Sequence, residues 1–288
     1  MNNRRIGLAG RRGFRRILPR IIITAVMALV ALTCLSPLLW MVSASFKFES
    51  DVFSFPVQWL PERWNAVENY REVWTGTSNF ALYYWNSIKV AVLSTMLLLL
   101  TASMAAYAFT KIKFRGREIL FWIYLAAMMI PMQVTLVPKF MIARWFGIYD
   151  THFVLIVMGA FSAFAVFLLK QNMDMIPSSL TESAQIDGAN HFRIYLNIII
   201  PIIKPVLAIQ GILKFVWTWN NYQMPLIFLK SKELYTIQLG LAEFADESGV
   251  YYSLVMAGSV SAILPLIIIF LIGQRYILKG ITVGSVKG

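Results

Sequence analysis

Residues 179–201 read SLTESAQIDGANHFRIYLNIIIP. The ionisable side chains Glu182, Asp187, His191 and Arg193 gather here, in a chain that is otherwise greasy. Of its 288 residues, 58% are hydrophobic and 14% charged, whereas a soluble domain carries about 25% charged residues. A polar helical segment between two membrane-grade segments must face water. Its place in the chain therefore decides how the whole is threaded.

Outward from this stretch, the apolar excess comes in blocks. A bilayer core about 30 Å thick takes about 20 residues at roughly 1.5 Å rise each. Six blocks qualify: 21–46, 90–110, 119–138, 153–169, 205–229 and 253–273, and only 205–229 holds a charge, Lys214. Backbone groups in lipid must pair within their own segment, so the expected fold is all-α with six transmembrane helices. The first 20 residues carry seven arginines and no acid, which places the N-terminus in the cytoplasm. Segments 1–20, 111–118, 170–204 and 274–288 then lie inside, with 17 basic and 4 acidic residues. Segments 47–87, 139–152 and 230–252 lie outside, with 7 basic and 10 acidic. Both termini are expected to be cytoplasmic. The net charge of +12 reads as topology and not as a nucleic-acid surface. A cleaved signal peptide is the rival for the N-terminus, but its apolar core would be about 7–15 residues, against 26 here. With no linker or repeat, residues 1–288 are expected to form a single membrane domain.

Little in the chain suits catalysis or metal binding. Cys34 is the only cysteine, and the two histidines, His152 and His191, stand far apart. HExxH, CxxC and a glycine loop ending in GK[ST] do not occur. Metal ligands and catalytic residues are therefore not expected. The spans hold no acid, which counts against the ion relays of a secondary transporter or channel.

Within the interrupting stretch, Ser179 and Glu182 have the spacing of a capping box, and Pro177 suits a helix start. Gly188 tolerates left-handed backbone and can end that helix. A second helix from about Asn190 then leads to Pro201. Such a small-residued knuckle can enter a groove on another protein; the alternative is an amphipathic pair lying on the bilayer. In the outer loop, Trp59, Trp64, Trp74 and Trp85 suit either an interfacial belt or a docking face. Lys214 within a span costs about 2.5 kcal/mol or more at the bilayer centre. With Trp217, Thr218 and Asn221 it forms one helical stripe. The stripe either borders a pathway, where the cation favours an anionic sugar, or lets Lys214 snorkel or pair with a neighbouring subunit.

ESAQIDG, nine residues and then IIIP fit E-A-A-x-x-x-G-x9-I-x-L-P, with Ser183 and Ile200 as mild departures. This resembles the cytoplasmic motif of membrane subunits in binding-protein-dependent ABC importers. SFKFESDVFSFPVQWLPERWNAVENYREVW, FGIYDTHFVLI, WNNYQMPLIF and KGITVGSVKG resemble carbohydrate-importer permeases of the maltose-permease type, the smaller of two membrane subunits. The resemblance implies that 170–204 is a coupling loop seated in an ATPase. Glu182, Ala184 and Gly188 would be the matching motif positions, Ser183 the departure beside them, and Asp187 and His191 rim contacts. It implies a heterodimer with a second permease, two ATPase subunits that bind ATP and Mg, and a solute-binding protein outside. That protein would meet Trp59, Trp64, Glu243, Glu247 and Tyr251. Cofactors in this chain are not implied. The setting is a bacterial inner membrane and the cargo a sugar or oligosaccharide. An ABC permease for another solute and a secondary transporter or channel are the alternatives.

Overall fold

The structure is a computed structural model that describes residues 6–76, 79–246 and 249–285. It is almost wholly helical. Its helices are α1 (Ile6–Ala44), α2 (Ala66–Thr75), α3 (Phe80–Lys111), α4 (Arg117–Ala126), α5 (Met132–Trp145), α6 (His152–Met158), α7 (Ala163–Asp174), α8 (Ser178–Ile186), α9 (His191–Ile194), α10 (Ile200–Trp219), α11 (Gln223–Phe228), α12 (Ile237–Ala242) and α13 (Tyr252–Ser285). A hairpin of two-residue strands, Ala245–Asp246 with Gly249–Val250, lies between α12 and α13.

Four helices are long and apolar enough to cross a membrane, over Pro19–Ala44, Phe80–Lys111, His191–Trp219 and Tyr252–Tyr276. Two bent pairs raise the number to as many as six. The expected straight span at 119–138 is one of these pairs, with a 102° corner between Arg117–Met129 and Met132–Trp145. Pro131 sits at the corner; it lacks an N–H and holds Ile130 extended. The expected span at 153–169 is the other pair, bent by 43° between His152–Met158 and Ala163–Asp174. There Ser162 caps the second half by accepting the Ala165 N–H at 3.3 Å.

The expected span at 205–229 needs a larger correction. The helix begins at His191, before the apolar run, and ends at Trp219. Residues 195–199 form a π-turn that joins α9 to α10. Pro201 follows directly, and the wide turn relieves the crowding its ring imposes on the carbonyl four residues back. At the far end Asn221 Oδ1 accepts the Met224 N–H at 2.9 Å, which starts α11 as a separate helix. Hydropathy runs through this break without registering it.

Three apolar clusters hold the bundle together. One joins α3, α7 and α9–α10 through Ala102, Ala106, Leu169, Met173, Ile194 and Ile199. A second packs α3, α10, α12 and α13 around Phe80, Trp219, Ile237 and Ala257. The third joins α3, α5, α6 and α11 around Ala143, Val154 and Phe228.

The segment after α1 folds back as a compact cap. Lys47 is fully buried; its Nζ donates to the Gln58 carbonyl at 2.6 Å and lies 4.2 Å from the Trp40 ring centre. Buried Asn69 donates to the Ser45 and Lys47 carbonyls at 3.0 and 2.8 Å. Glu49 reaches across to α13, where its two carboxylate oxygens accept the Tyr252 and Ser253 N–H groups at 3.0 and 2.8 Å. Those donors would otherwise be left open at a helix start, and a carboxylate is the favoured partner there.

Candidate functional site

The first candidate region is the elbow between α8 and α9. Helix α8 starts at Ser178, directly after Pro177. Ser179 therefore lies within the helix and does not cap it, so the capping box expected from Ser179 and Glu182 is not formed. Instead Ser183 Oγ donates to the Ser179 carbonyl at 2.8 Å, while the exposed Glu182 projects outward. The C-terminus ends in a Schellman motif: Gly188 N–H donates to the Gln185 carbonyl at 3.0 Å and Ala189 N–H to the Ala184 carbonyl at 2.9 Å. Gly188 takes the left-handed conformation this requires, φ +80°. Asn190 then caps α9 by accepting the Arg193 N–H at 2.8 Å.

Packing divides the elbow into two faces. Ala184 and Ala189 lie against the cluster of α3, α7 and α10. Glu182, Ser183, Asp187 and Gly188 face outward. The residues expected from the motif leave out Ile186, which is 87% exposed at the corner, and Phe192, also exposed. An isoleucine in a polar helix that ends at glycine was the available signal. His191 is less free than a rim position implies: its Nδ1 lies 3.1 Å from Tyr107 Oη on α3. Next to it, Tyr195 Oη bonds Ser103 Oγ at 2.7 Å. Lys111 closes the same end by donating to the Ile176 carbonyl at 2.7 Å.

The second region is a cleft of about 450 Å³ bounded by α3, α5, the break between α6 and α7, α10 and α11. Lys214, Trp217 and Thr218 line it, as their helical spacing implies, and Asn221 also lines it, but from the break after α10 and not from the helical stripe expected of it. Lys214 Nζ lies 4.8 Å from the Trp217 ring centre. The cleft also takes in Lys139, Gln210 and Thr236, which sequence reasoning missed. Buried Gln210 Nε2, Thr218 Oγ1 and Thr236 Oγ1 have no hydrogen-bond partner among the described residues. Each of these three atoms has essentially no accessible surface, so they stand behind the cleft wall and do not face an occupant.

The third region is the face formed by the segment after α1 and the connections around α12. Trp59 packs edge-on to Trp40 with ring centres 5.7 Å apart, and Trp64 stacks on Phe46 at 5.6 Å. Both tryptophans remain more than half exposed. Glu243 is held by Lys232, 2.5 Å from its Nζ. Tyr251 N–H donates to the Phe244 carbonyl at 2.9 Å, next to the short hairpin. Glu247 lies outside the described residues.

Asp150 anchors this side. Its Oδ1 accepts the Lys230 and Ser231 N–H groups at 2.7 and 3.0 Å, and Oδ2 accepts Ser231 Oγ at 2.6 Å. Those bonds, the Ser231 hydroxyl foremost, hold its carboxyl below the ordinary range. The sign follows: the stabilisation is present at neutral pH and is lost as pH falls through the lowered pKa. Asn tolerates the left-handed backbone Asp150 adopts, φ 57°. Thermal melts of Asp150→Asn are expected to lose part of the steep decline that the wild type shows between about pH 5 and pH 2. An unchanged acid limb would show that the anchor does not contribute.

Residues 98–283 match the family described as binding-protein-dependent transport system inner membrane component. Arabinooligosaccharides transport system permease protein AraQ of Bacillus subtilis is 33% identical over 270 residues, covering 93% of this chain and 96% of AraQ. Lactose transport system permease protein LacG of Rhizobium radiobacter is 30% identical, covering 95% of this chain and 98% of LacG. Among solved structures, a chain of a bacterial ABC transporter involved in the import of the acidic polysaccharide alginate superposes with TM-score 0.81 at 26% identity, covering 92% of this chain and 98% of that one. The chain belongs to the binding-protein-dependent transport system inner membrane components. It is a transport permease component with membrane-spanning helices.

Proposed function

We propose that this chain is the smaller permease subunit of an ATP-driven importer of sugars or oligosaccharides in a bacterial inner membrane. It forms one domain with six spans, counting each bent pair as one, and both termini are cytoplasmic. A second, homologous permease completes the pathway. Two ATPase subunits bind ATP and Mg and carry out hydrolysis; this chain is not an enzyme and holds no cofactor. An external solute-binding protein delivers cargo at the face that includes Trp59, Trp64, Glu243, Glu247 and Tyr251. Sugar permeases among the relatives support the cargo class.

The observation that carries the reading is the continuous helix His191–Trp219. One end begins at the elbow, where Ala184, Asp187, Gly188 and His191 shape a protruding corner. The other carries Lys214, Trp217 and Thr218 into the cleft. A displacement of the corner is therefore transmitted along this helix to the cleft wall. The ATPase groove receives the exposed corner around Glu182, Ser183 and Ile186, and the cleft is this subunit's part of the pathway.

A cysteine at Ile186, in a background with Cys34 replaced by serine, is expected to cross-link to the ATPase chain in the assembled complex. The adduct should weaken when ATP binding moves the corner. A cross-link only to lipid, or none with the ATPase present, would remove the elbow from the docking interface.

A further inference from the structure

We propose that the cleft selects an anionic saccharide, with Lys214 as the counter-charge and Lys139 as a second cation. The proposal rests on the importer reading above and deepens it.

The cleft lining contains two lysines, Lys139 and Lys214, and no aspartate or glutamate. Lys214 has no carboxylate within ion-pair distance among the described residues. Its ammonium rests on the Trp217 ring, a weaker site than a carboxylate. The fold leaves room for it. A Cβ on Gly159, at the break between α6 and α7, would stand 3.0 Å from Lys214 Nζ, so the missing side chain is the space the ammonium uses. Beside that glycine lies Ser94 Oγ, buried and also without a partner. An anion entering here meets a desolvated cation whose charge nothing nearby neutralises, where electrostatic attraction is strongest. Drawing the ammonium toward a carboxylate also frees the half-exposed Trp217 ring to lie against the flat C–H face of a sugar.

The saccharide class comes from the importer reading, and the cleft adds the charge requirement. Each cation is a lysine, a point charge that pairs with carboxylate or phosphate, so the shared requirement on the cargo is an anionic group.

The test uses the complete importer in proteoliposomes, with its permease partner, ATPases and binding protein. Uptake of an oligouronate trisaccharide is compared with that of a neutral trisaccharide and a sugar phosphate. Holding the binding protein fixed while varying this chain isolates the contribution of the cleft. The oligouronate is expected to be imported. Lys214→Met should lower its uptake per assembled complex about tenfold. Lys214→Arg should keep about a third or more of it, and Lys139→Met should show a smaller loss than Lys214→Met. Oligouronate uptake within twofold of wild type in both Met variants overturns the proposal. So does preferred import of the neutral sugar, whereas preferred import of the sugar phosphate supports the cleft as an anion site and identifies the anion as phosphate. A Lys214→Met loss confined to complex assembly, with selectivity unchanged, also overturns it, because the lysine then serves a subunit contact. Absence of any carbohydrate uptake would instead overturn the importer reading on which the proposal stands.

Discussion

Gly188→Val is expected to remove most binding-protein-stimulated ATP hydrolysis while the chain still inserts and accumulates. Gly188 sits at φ +80°, and a Cβ there would meet nothing within 4 Å. The cost is therefore one of backbone conformation and not of collision. A left-handed backbone costs an L-residue about 1–2 kcal/mol, and a β-branched one sits at the upper end. That is enough to favour rearrangement of a turn held by two backbone bonds, one from Gly188 and one from Ala189. Loss of the corner should reduce stimulation by about tenfold or more. Gly188→Asn is expected to retain much of it, because asparagine accepts left-handed angles. Stimulation at the wild-type level in Gly188→Val would separate the elbow from coupling altogether.

Trp219→Ala should give the largest loss of stability. Trp219 is 2% exposed, stacks on Phe215 at 5.7 Å, meets Tyr84 edge-on at 5.4 Å and donates Nε1–H to the Ala262 carbonyl at 3.0 Å. Its removal opens a cavity among α3, α10 and α13, a change that costs about 3–5 kcal/mol for Trp→Ala. Trp217, two residues earlier, faces the cleft and is 52% exposed. Trp217→Ala should leave the melting temperature of the detergent-purified protein within a few degrees of wild type and lower uptake instead. If both variants melt alike, the division of α10 into a packing face and a cleft face is wrong.

Local chemistry was the part most legible in the sequence. Gly188 and Asn190 mark their own turn, because positive φ and N-capping are properties of single residues. Lys214, Trp217 and Thr218 could be placed on one stripe because helical spacing carries through a span; Asn221, expected on the same stripe, lies past the end of α10 and reaches the cleft from the break before α11. Gln210 stands one turn upstream of Lys214 on the same stripe and was accessible by the same argument. Lys139 and Thr236 were not, since they reach the cleft from α5 and from the connection before α12 only through tertiary folding. Span boundaries were less legible for a different reason. Apolar content measures affinity for lipid and does not register the hydrogen bond by which Asn221 starts α11, nor the corner at Pro131. The capping box failed because α8 starts at Ser178, directly after Pro177 and two residues earlier than Ser179 as N-cap requires.

The Glu49 bridge bears on biogenesis. Its carboxylate leaves the ribosome long before its partners: Tyr252 and Ser253 lie 203 and 204 residues later in the chain. Chains are made from the N-terminus, so the contact between Glu49 and the start of α13 forms only after the last helix has been made. Closure of this clasp is then among the final events of maturation. A truncated product that ends before Tyr252 carries every earlier helix but lacks this clasp.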